Sequence, residues 1–394
     1  MGVGLPRVPS GIGQGARRAF RGAAALVVLS AVGCGGAAPA AKPPPAAAPP
    51  AASSAAAPAA PVASGAAPAR PAAPTAPPPV ATVRLGALGS VTDAGFFIGL
   101  DRGYFKEQGL DLDLIPFDSG ARMVAPLGAG QLEVGGGSHS TGLFNAIARN
   151  IDIRLVADKG SAPPGYGFQA LLFRKDLVDS GQLRTPADLR GMRIGISARG
   201  TSGEPDVAAY LQPYGMTLDD VEMVELAFPE HAAAFAGRTL DASMNIEPFV
   251  TFIADQGTGT IYERLDTFVP GEQIAEVIYS GQFAQEQPDA ARRFMVAYLR
   301  AVRDYNDAFS RGDTAKRQQI VTTLTQHTTV KDPALYDRMA MPGLDPDGRI
   351  NMARVAAHQD FWVATGQQQA RVNLDTVIDP RFADAAAQTL GPYR

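Results

Sequence analysis

Four short stretches gather side chains able to do chemistry. Thr92 and Asp93 end the run S-V-T-D. Ser138, His139 and Ser140 follow three glycines, and Thr201 and Ser202 lie between Gly200 and Gly203. Glu247 precedes Pro248 in N-I-E-P. Each stretch stands between a strand-like run and a helix-like one. The first N–H groups of a helix are unpaired and carry partial positive charge, so hydroxyls grouped there suit an oxyanion or a polar head group. The same side chains serve equally as helix caps, and both roles stay open for Thr92, Asp93, Ser138, Ser140, Thr201 and Ser202. His139 reads either as a ligand contact or as a hydrogen-bonded structural histidine. Glu247 can accept from an amine or hydroxyl, or complement the dipole of the helix it opens. Of Phe96 and Phe97, one is expected in the core and the other, Phe97, on a cleft wall. Tyr166, in G-S-A-P-P-G-Y-G, is poorly placed for core packing; it is expected to stack over a ligand or to line the surface.

The charge balance of these loops points two ways. They hold no lysine or arginine, and only Arg199 borders one. An anion would therefore rely on helix N-termini alone. Asp93, Glu204, Glu230 and Glu247 lean toward an amine, a heterocycle or a neutral polar solute. No glycine-rich loop is followed by G-K-[ST], and no G-x-S-x-G or H-E-x-x-H occurs, so nucleotide binding and the commonest hydrolytic chemistries lack their residues. One cysteine and four histidines offer no metal-ligand spacing, and His231, His327 and His358 read as surface or capping residues. No catalytic set, cofactor or metal is expected. A net charge of −4 argues against a nucleic-acid partner.

Alternating strands and helices must position these loops. Val83–Leu88 and Leu110–Leu114 alternate by twos. Between them Phe96, Phe97, Leu100 and Tyr104 or Phe105 recur at helical spacing, and Gly109 suits a left-handed stop. Further strands are read at Leu132–Gly135, Ile153–Ala157, Phe168–Phe173, Arg193–Ile196, Val221–Leu226, Leu240–Met244 and Ile274–Ser280. Helices fall between them, and a long amphipathic helix runs from Pro288 to Ser310. This alternation predicts an α/β fold of two lobes, each a mixed, mostly parallel sheet flanked by helices. Ligands of open α/β sheets bind beyond the carboxyl ends of the strands.

The N-terminal part is of another kind. Residues 1–33 read as a signal peptide, with Arg7, Arg17, Arg18 and Arg21 before the apolar run Gly22–Gly33. Arg17-Arg18 also has twin-arginine spacing, which leaves the export route open. Ala31-Val32-Gly33-Cys34 resembles a bacterial lipobox, which implies lipidation at Cys34, where two acyl chains suffice for stable anchoring; the alternative is an ordinary signal peptide with a neighbouring cysteine. Residues 34–80, almost wholly Ala, Pro, Gly and Ser, cannot bury a core and read as a disordered tether.

Gly103–Leu110, G-Y-F-K-E-Q-G-L, and Ala129–Gly135, A-G-Q-L-E-V-G, resemble signatures of the periplasmic solute-binding proteins of ABC importers. The matching branch is named for nitrate, taurine, aliphatic-sulfonate and thiamine-precursor binders. The resemblance implies a type II periplasmic-binding-protein fold, with lobe one at 81–176, lobe two at 177–272, and 273–394 returning to lobe one with a helical tail. It places the crossings near 174–178 and 270–278. It implies ligand contacts at Ser138 and His139 and at the Glu247-Pro248 segment. It also implies a monomer that closes on a small solute outside the cytoplasm and docks on ABC permease subunits. The alternatives are a ligand sensor of the same fold and an enzyme related to pyrimidine-precursor synthases. The latter depend on a cysteine-rich motif, for which this chain has only Cys34.

Overall fold

The computed structural model describes residues 80–394. The signal peptide, Cys34 and the tether lie outside the described residues. The strands are β1 (Ala81–Ala87), β2 (Leu110–Pro116), β3 (Val134–Gly137), β4 (Ile153–Ala162), β5 (Gln169–Arg174), β6 (Arg193–Ile196), β7 (Glu222–Glu225), β8 (Ala242–Ile246), β9 (Gly259–Arg264) and β10 (Glu272–Ser280). The main helices are α1 (Ala94–Asp101), α2 (Thr141–Ala148), α3 (Gly203–Leu211), α4 (His231–Ala236), α5 (Phe249–Asp255), α6 (Pro288–Phe309), α7 (Thr314–His327), α8 (Met352–Ala364) and α9 (Arg381–Leu390).

Two five-stranded mixed sheets result, ordered β2-β1-β3-β10-β4 and β7-β6-β8-β5-β9. In the first, β1 runs parallel to β2 and β3, while β10 is antiparallel to β3 and β4. The second repeats this plan, with β6 parallel to β7 and β8, and β5 antiparallel to β8 and β9. In both sheets the fourth place is filled by the strand that has just crossed from the other lobe.

This arrangement moves the first boundary. β5 belongs to the second sheet, so the chain crosses at 163–168, ahead of the expected 174–178. The return crossing lies at 269–271. The edge strand β9, G-T-I-Y-E-R, has no clean alternation and escaped the sequence reading.

The long helix α6 closes lobe one. Phe294, Tyr298, Leu299, Val302 and Tyr305 are fully buried in one core with Phe96, Phe105 and Tyr279. Each such side chain stabilises the fold by about 1.5–3 kcal/mol relative to exposure. Their buried hydroxyls are satisfied: Tyr298 donates to the Asp158 carbonyl (2.8 Å) and Tyr305 to that of Pro342 (2.7 Å). Phe97 lies in this core too, stacked on His327 with ring centroids 4.8 Å apart. It therefore forms no cleft wall: the helical turn that turns Phe96 inward leaves Phe97 facing α7.

Near the first crossing, the Asp158 carboxylate accepts from Gly160 N–H (3.1 Å), Gln273 Nε2 (2.8 Å) and Asp345 N–H (2.7 Å). Burial nonetheless pushes its carboxyl up to about 7. The folded value exceeds the unfolded one, so this group's contribution is fully present below about pH 4 and lost as pH rises through about 7. Asp158→Asn leaves the Asp345 N–H facing an amide and costs stability at every pH. It is nevertheless expected to remove the fall in urea midpoint that this carboxyl imposes between about pH 4 and about pH 7. An unchanged slope would show that Asp158 is ionised throughout.

Candidate functional site

The carboxyl ends of β1, β3, β6 and β8 face one another across the two crossings and enclose a cleft. Thr92, Ser119, Ser138, Ser197, Thr201 and Ser202 supply hydroxyls to it. Leu88, Phe168, Ile196, Phe228, Met244, Ile246 and Ile274 supply apolar wall. No Asp, Glu, Lys, Arg or His is among the lining residues. The lobes are drawn together, leaving a cavity of about 40 Å³. One water needs about 10–15 Å³ of such space, so the cavity has room for only a few waters.

Direct contacts latch the lobes across this cleft. Thr141 N–H donates to the Gly200 carbonyl (2.8 Å), Ser140 and Thr201 form an isolated antiparallel bridge, and the Ser138 and Ser202 hydroxyls meet at 3.2 Å. Gly200 permits this approach: it has φ +65°, and a Cβ there would stand 2.1 Å from Thr141 Oγ1. Ser140 caps α2 by accepting from Leu143 N–H at 3.2 Å, so its hydroxyl is committed to the helix. Two backbones also touch on the lobe-one side. A Cβ on Gly120 would fall 2.6 Å from Ser138 N and 2.9 Å from Gly137 Cα.

Asp93 does not reach the cleft. Its Oδ2 accepts from the N–H groups of Leu88 (3.0 Å) and Ser90 (3.1 Å), and its Oδ1 lies 2.8 Å from Lys159 Nζ. Lys159 is fully buried and also donates to Thr92 Oγ1 at 2.8 Å. A neutralised ion pair thus sits beneath the cleft floor and orients the Thr92 hydroxyl, which is further bonded to Ser90 Oγ (2.8 Å). Sequence reasoning missed Lys159. The visible signal was the dipeptide D-K directly after the apolar run Leu155–Ala157 of β4, since charged residues are rarely fully buried without partners.

Three more expected contacts point elsewhere. His139 is fully buried behind β3, with Nδ1 2.8 Å from Glu276 Oε1 and Nε2 2.8 Å from His358 Nδ1. Glu247 is buried, and burial raises its carboxyl above the ordinary value. It accepts from Thr251 N–H and Oγ1 (both 2.9 Å), Arg264 Nη1 (3.0 Å) and Ala340 N–H (3.3 Å), which leaves it no open side for a ligand. Tyr166 lies on the outer side of the crossing, where its hydroxyl bonds Ser310 Oγ at 2.8 Å. Glu204 turns back to accept from Gly200 N–H (2.7 Å), and Glu230 from Ala227 N–H (3.3 Å). Of the expected contacts, Thr92, Ser138, Thr201 and Ser202 line the cleft. The histidines differ from expectation as well: His231 and His358 are buried, and burial lowers both, His231 to about 4.

The arrangement can clamp a small solute between hydroxyls, backbone N–H groups and apolar walls. It sets no base beside any cleft serine. The buried His231 bonds Ser243 Oγ (2.7 Å) and the Leu226 carbonyl (2.8 Å), and neither group lines the cleft.

Comparison with known proteins accords with this architecture. Residues 91–308 match the family model described as NMT1/THI5 like. A protein of Brucella abortus (strain 2308), named only as a binding protein, is 26% identical over 298 residues, covering 72% of this chain and 83% of the relative. The taurine-binding periplasmic protein of Escherichia coli (strain K12) is 27% identical over 52% of this chain and 61% of its own. A 4-amino-5-hydroxymethyl-2-methylpyrimidine phosphate synthase of Aspergillus parasiticus is 26% identical over 54% of this chain and 62% of its own. Among solved structures, the alkanesulfonate-binding protein SsuA of Xanthomonas axonopodis pv. citri superposes with a TM-score of 0.62 at 19% identity, covering 77% of this chain and 99% of that one. The periplasmic nitrate-binding protein NrtA of Synechocystis PCC 6803 gives 0.68 at 14% identity, covering 79% and 89%.

Proposed function

Since this chain belongs to the NMT1/THI5-like family, we propose that it is an extracytoplasmic solute-binding protein that delivers a small organic solute to the permease of an ABC importer. The observation that carries the choice of solute is the lining of the cleft, hydroxyl and apolar without a charged side chain. Asp93, Glu204 and Glu247 are all committed to internal partners. An amine therefore finds no counter-ion. A sulfonate-like head held by hydroxyls and N–H groups, or a neutral heterocycle between Phe168 and Phe228, fits the lining. The taurine-, alkanesulfonate- and nitrate-binding relatives favour the oxyanion head.

The mechanism is closure. Solute contacts drawn from both lobes stabilise the latched form over an open one, and the closed form is what the permease recognises. Among the described residues no helix is long and apolar enough to cross a membrane. Diacylated Cys34 and the tether of residues 34–80 would hold the domain at the outer side of a bacterial cell membrane, as a monomer. Cys34→Ala is expected to move the protein from the membrane to the soluble fraction. Retention after that change would contradict lipid anchoring.

The solute assignment is tested by thermal-shift titration with alkanesulfonates, taurine, nitrate, pyrimidines and amines. Saturable stabilisation of about 3–4 kcal/mol at 100–1,000 times Kd is expected from a sulfonate or a pyrimidine. Stabilisation by amines alone would overturn the reading of the cleft.

A further inference from the structure

Behind the cleft a buried chain of polar groups runs from lobe one toward lobe two. Glu276 Oε1 meets His139 Nδ1 at 2.8 Å, His139 Nε2 meets His358 Nδ1 at 2.8 Å, and His358 Nε2 meets Glu272 Oε1 at 3.2 Å. Ionised carboxylates only accept, and each neutral imidazole carries one ring proton. With both rings neutral, the three contacts share two protons and one contact lacks its hydrogen. The longest of the three is the one between His358 and Glu272.

The other two contacts show which nitrogen is left over. Glu276 takes the Nδ1 proton of His139, His139 Nε2 then accepts from His358 Nδ1, and the Nε2 lone pair of His358 is turned toward Glu272. A metal-bound histidine is usually oriented in this way, by donating its other ring N–H to a fixed acceptor.

The lone pair does not face Glu272 alone. Asp206, on α3 of lobe two, brings a second carboxylate, and one ligand atom each from Asp206, Glu272 and His358 lie within 4.8 Å of one another. Asp206 is 1% exposed, and its Oδ2 accepts from Gln169 Nε2 at 2.6 Å. A cavity of about 500 Å³, walled by Met216, Val269, Ala357 and Phe361, opens on the three groups. Arg354 Nε is 3.9 Å from Glu272 Oε2, outside hydrogen-bond reach.

We propose that Asp206, Glu272 and His358 bind a borderline divalent transition-metal cation, zinc foremost, with its open coordination position toward the flanking cavity. Two carboxylates and an imidazole form a ligand set suited to zinc, with bonds of about 2.0–2.2 Å. Donors about 2.1 Å from one ion at tetrahedral angles stand about 3.4 Å apart, so donors within 4.8 Å of one another must draw inward to hold it. The ion ties α3 of lobe two to the crossing strand β10 and to α8, so its binding favours the closed relation of the lobes.

The test uses tag-free full-length protein, chelator-treated and then dialysed. Titration with Zn²⁺ or Co²⁺ alone should show one ion bound per chain, a raised melting temperature and, for Co²⁺, visible absorption bands from nitrogen and oxygen ligands. Asp206→Asn keeps an acceptor for Gln169 and should weaken binding at least about tenfold. His358→Gln should do the same, and His327→Gln, at the surface beside Asp101, should bind like the unaltered protein. Failure of the unaltered protein to bind either ion would overturn the proposal. So would equal binding by Asp206→Asn; the missing hydrogen would then be supplied by protonation of the chain.

Discussion

Lys159→Ala is expected to cost about 3–5 kcal/mol of folding stability, the usual consequence of leaving one partner of a buried ion pair alone. Asp93 would keep its bonds from Leu88 and Ser90 N–H but lose the only cation within contact of it among the described residues. Surface ion pairs of this chain, such as Lys175–Asp179, should contribute no more than about 1 kcal/mol each. The contrast is set by burial: Lys159 and Asp93 both have side chains at 0% exposure. Urea denaturation measures the loss directly. The paired change Lys159→Met with Asp93→Asn should recover most of it, because replacing both charges removes the unpaired one. A single-variant loss under about 1 kcal/mol would mean that water already reaches the pair. Thr92 would also lose its donor, so solute affinity should fall even where the fold survives.

Gly120→Val is the second large effect. A Cβ at this position meets backbone, 2.6 Å from Ser138 N and 2.9 Å from Gly137 Cα, and backbone cannot swing aside as a side chain would. The loop bearing Ser119 must therefore separate from the one bearing Ser138, and both line the cleft. Strain of about 1–3 kcal/mol is expected, the range for overpacking. Solute affinity should fall by at least about tenfold, or about 1.4 kcal/mol. Calorimetric titration with a solute that stabilises the unaltered protein reads the second effect, and urea denaturation the first. Retained affinity in a destabilised variant would show that Ser119 and Ser138 do not hold the solute.

What could be read from the sequence divides along local and non-local lines. Strand alternation at Leu110–Leu114 and helical spacing through α6 are local properties, and both elements form there. Proline lacks an N–H and is tolerated in a helix only in its first turn, and Pro126 is the third residue of the short helix Val124–Gly128. Sheet membership is not local. Phe168–Phe173 looked like a fifth strand of lobe one, yet β5 pairs with β8 and β9. The P-P-G run just before it held the real crossing.

The same distinction governs the site. Type and spacing mark the glycine-flanked hydroxyls Ser138, Thr201 and Ser202 as caps or contacts alike, and all three line the cleft. The charged candidates could not be assigned in that way, because their partners are distant in sequence. Asp93 finds Lys159, Glu247 finds Arg264 and Ala340, and His139 finds Glu276 and His358. A buried charge without a visible local partner was the signal that each was tied into the interior.

The central claim is that the two lobes close on one small solute in an uncharged, hydroxyl-lined cleft. Native mass spectrometry of the protein purified from its own bacterium tests it most directly. The account predicts a single small organic molecule, of sulfonate or neutral heterocyclic character, retained by the unaltered protein and lost from Gly120→Val. A retained organic cation, or a solute held equally by both proteins, would contradict it.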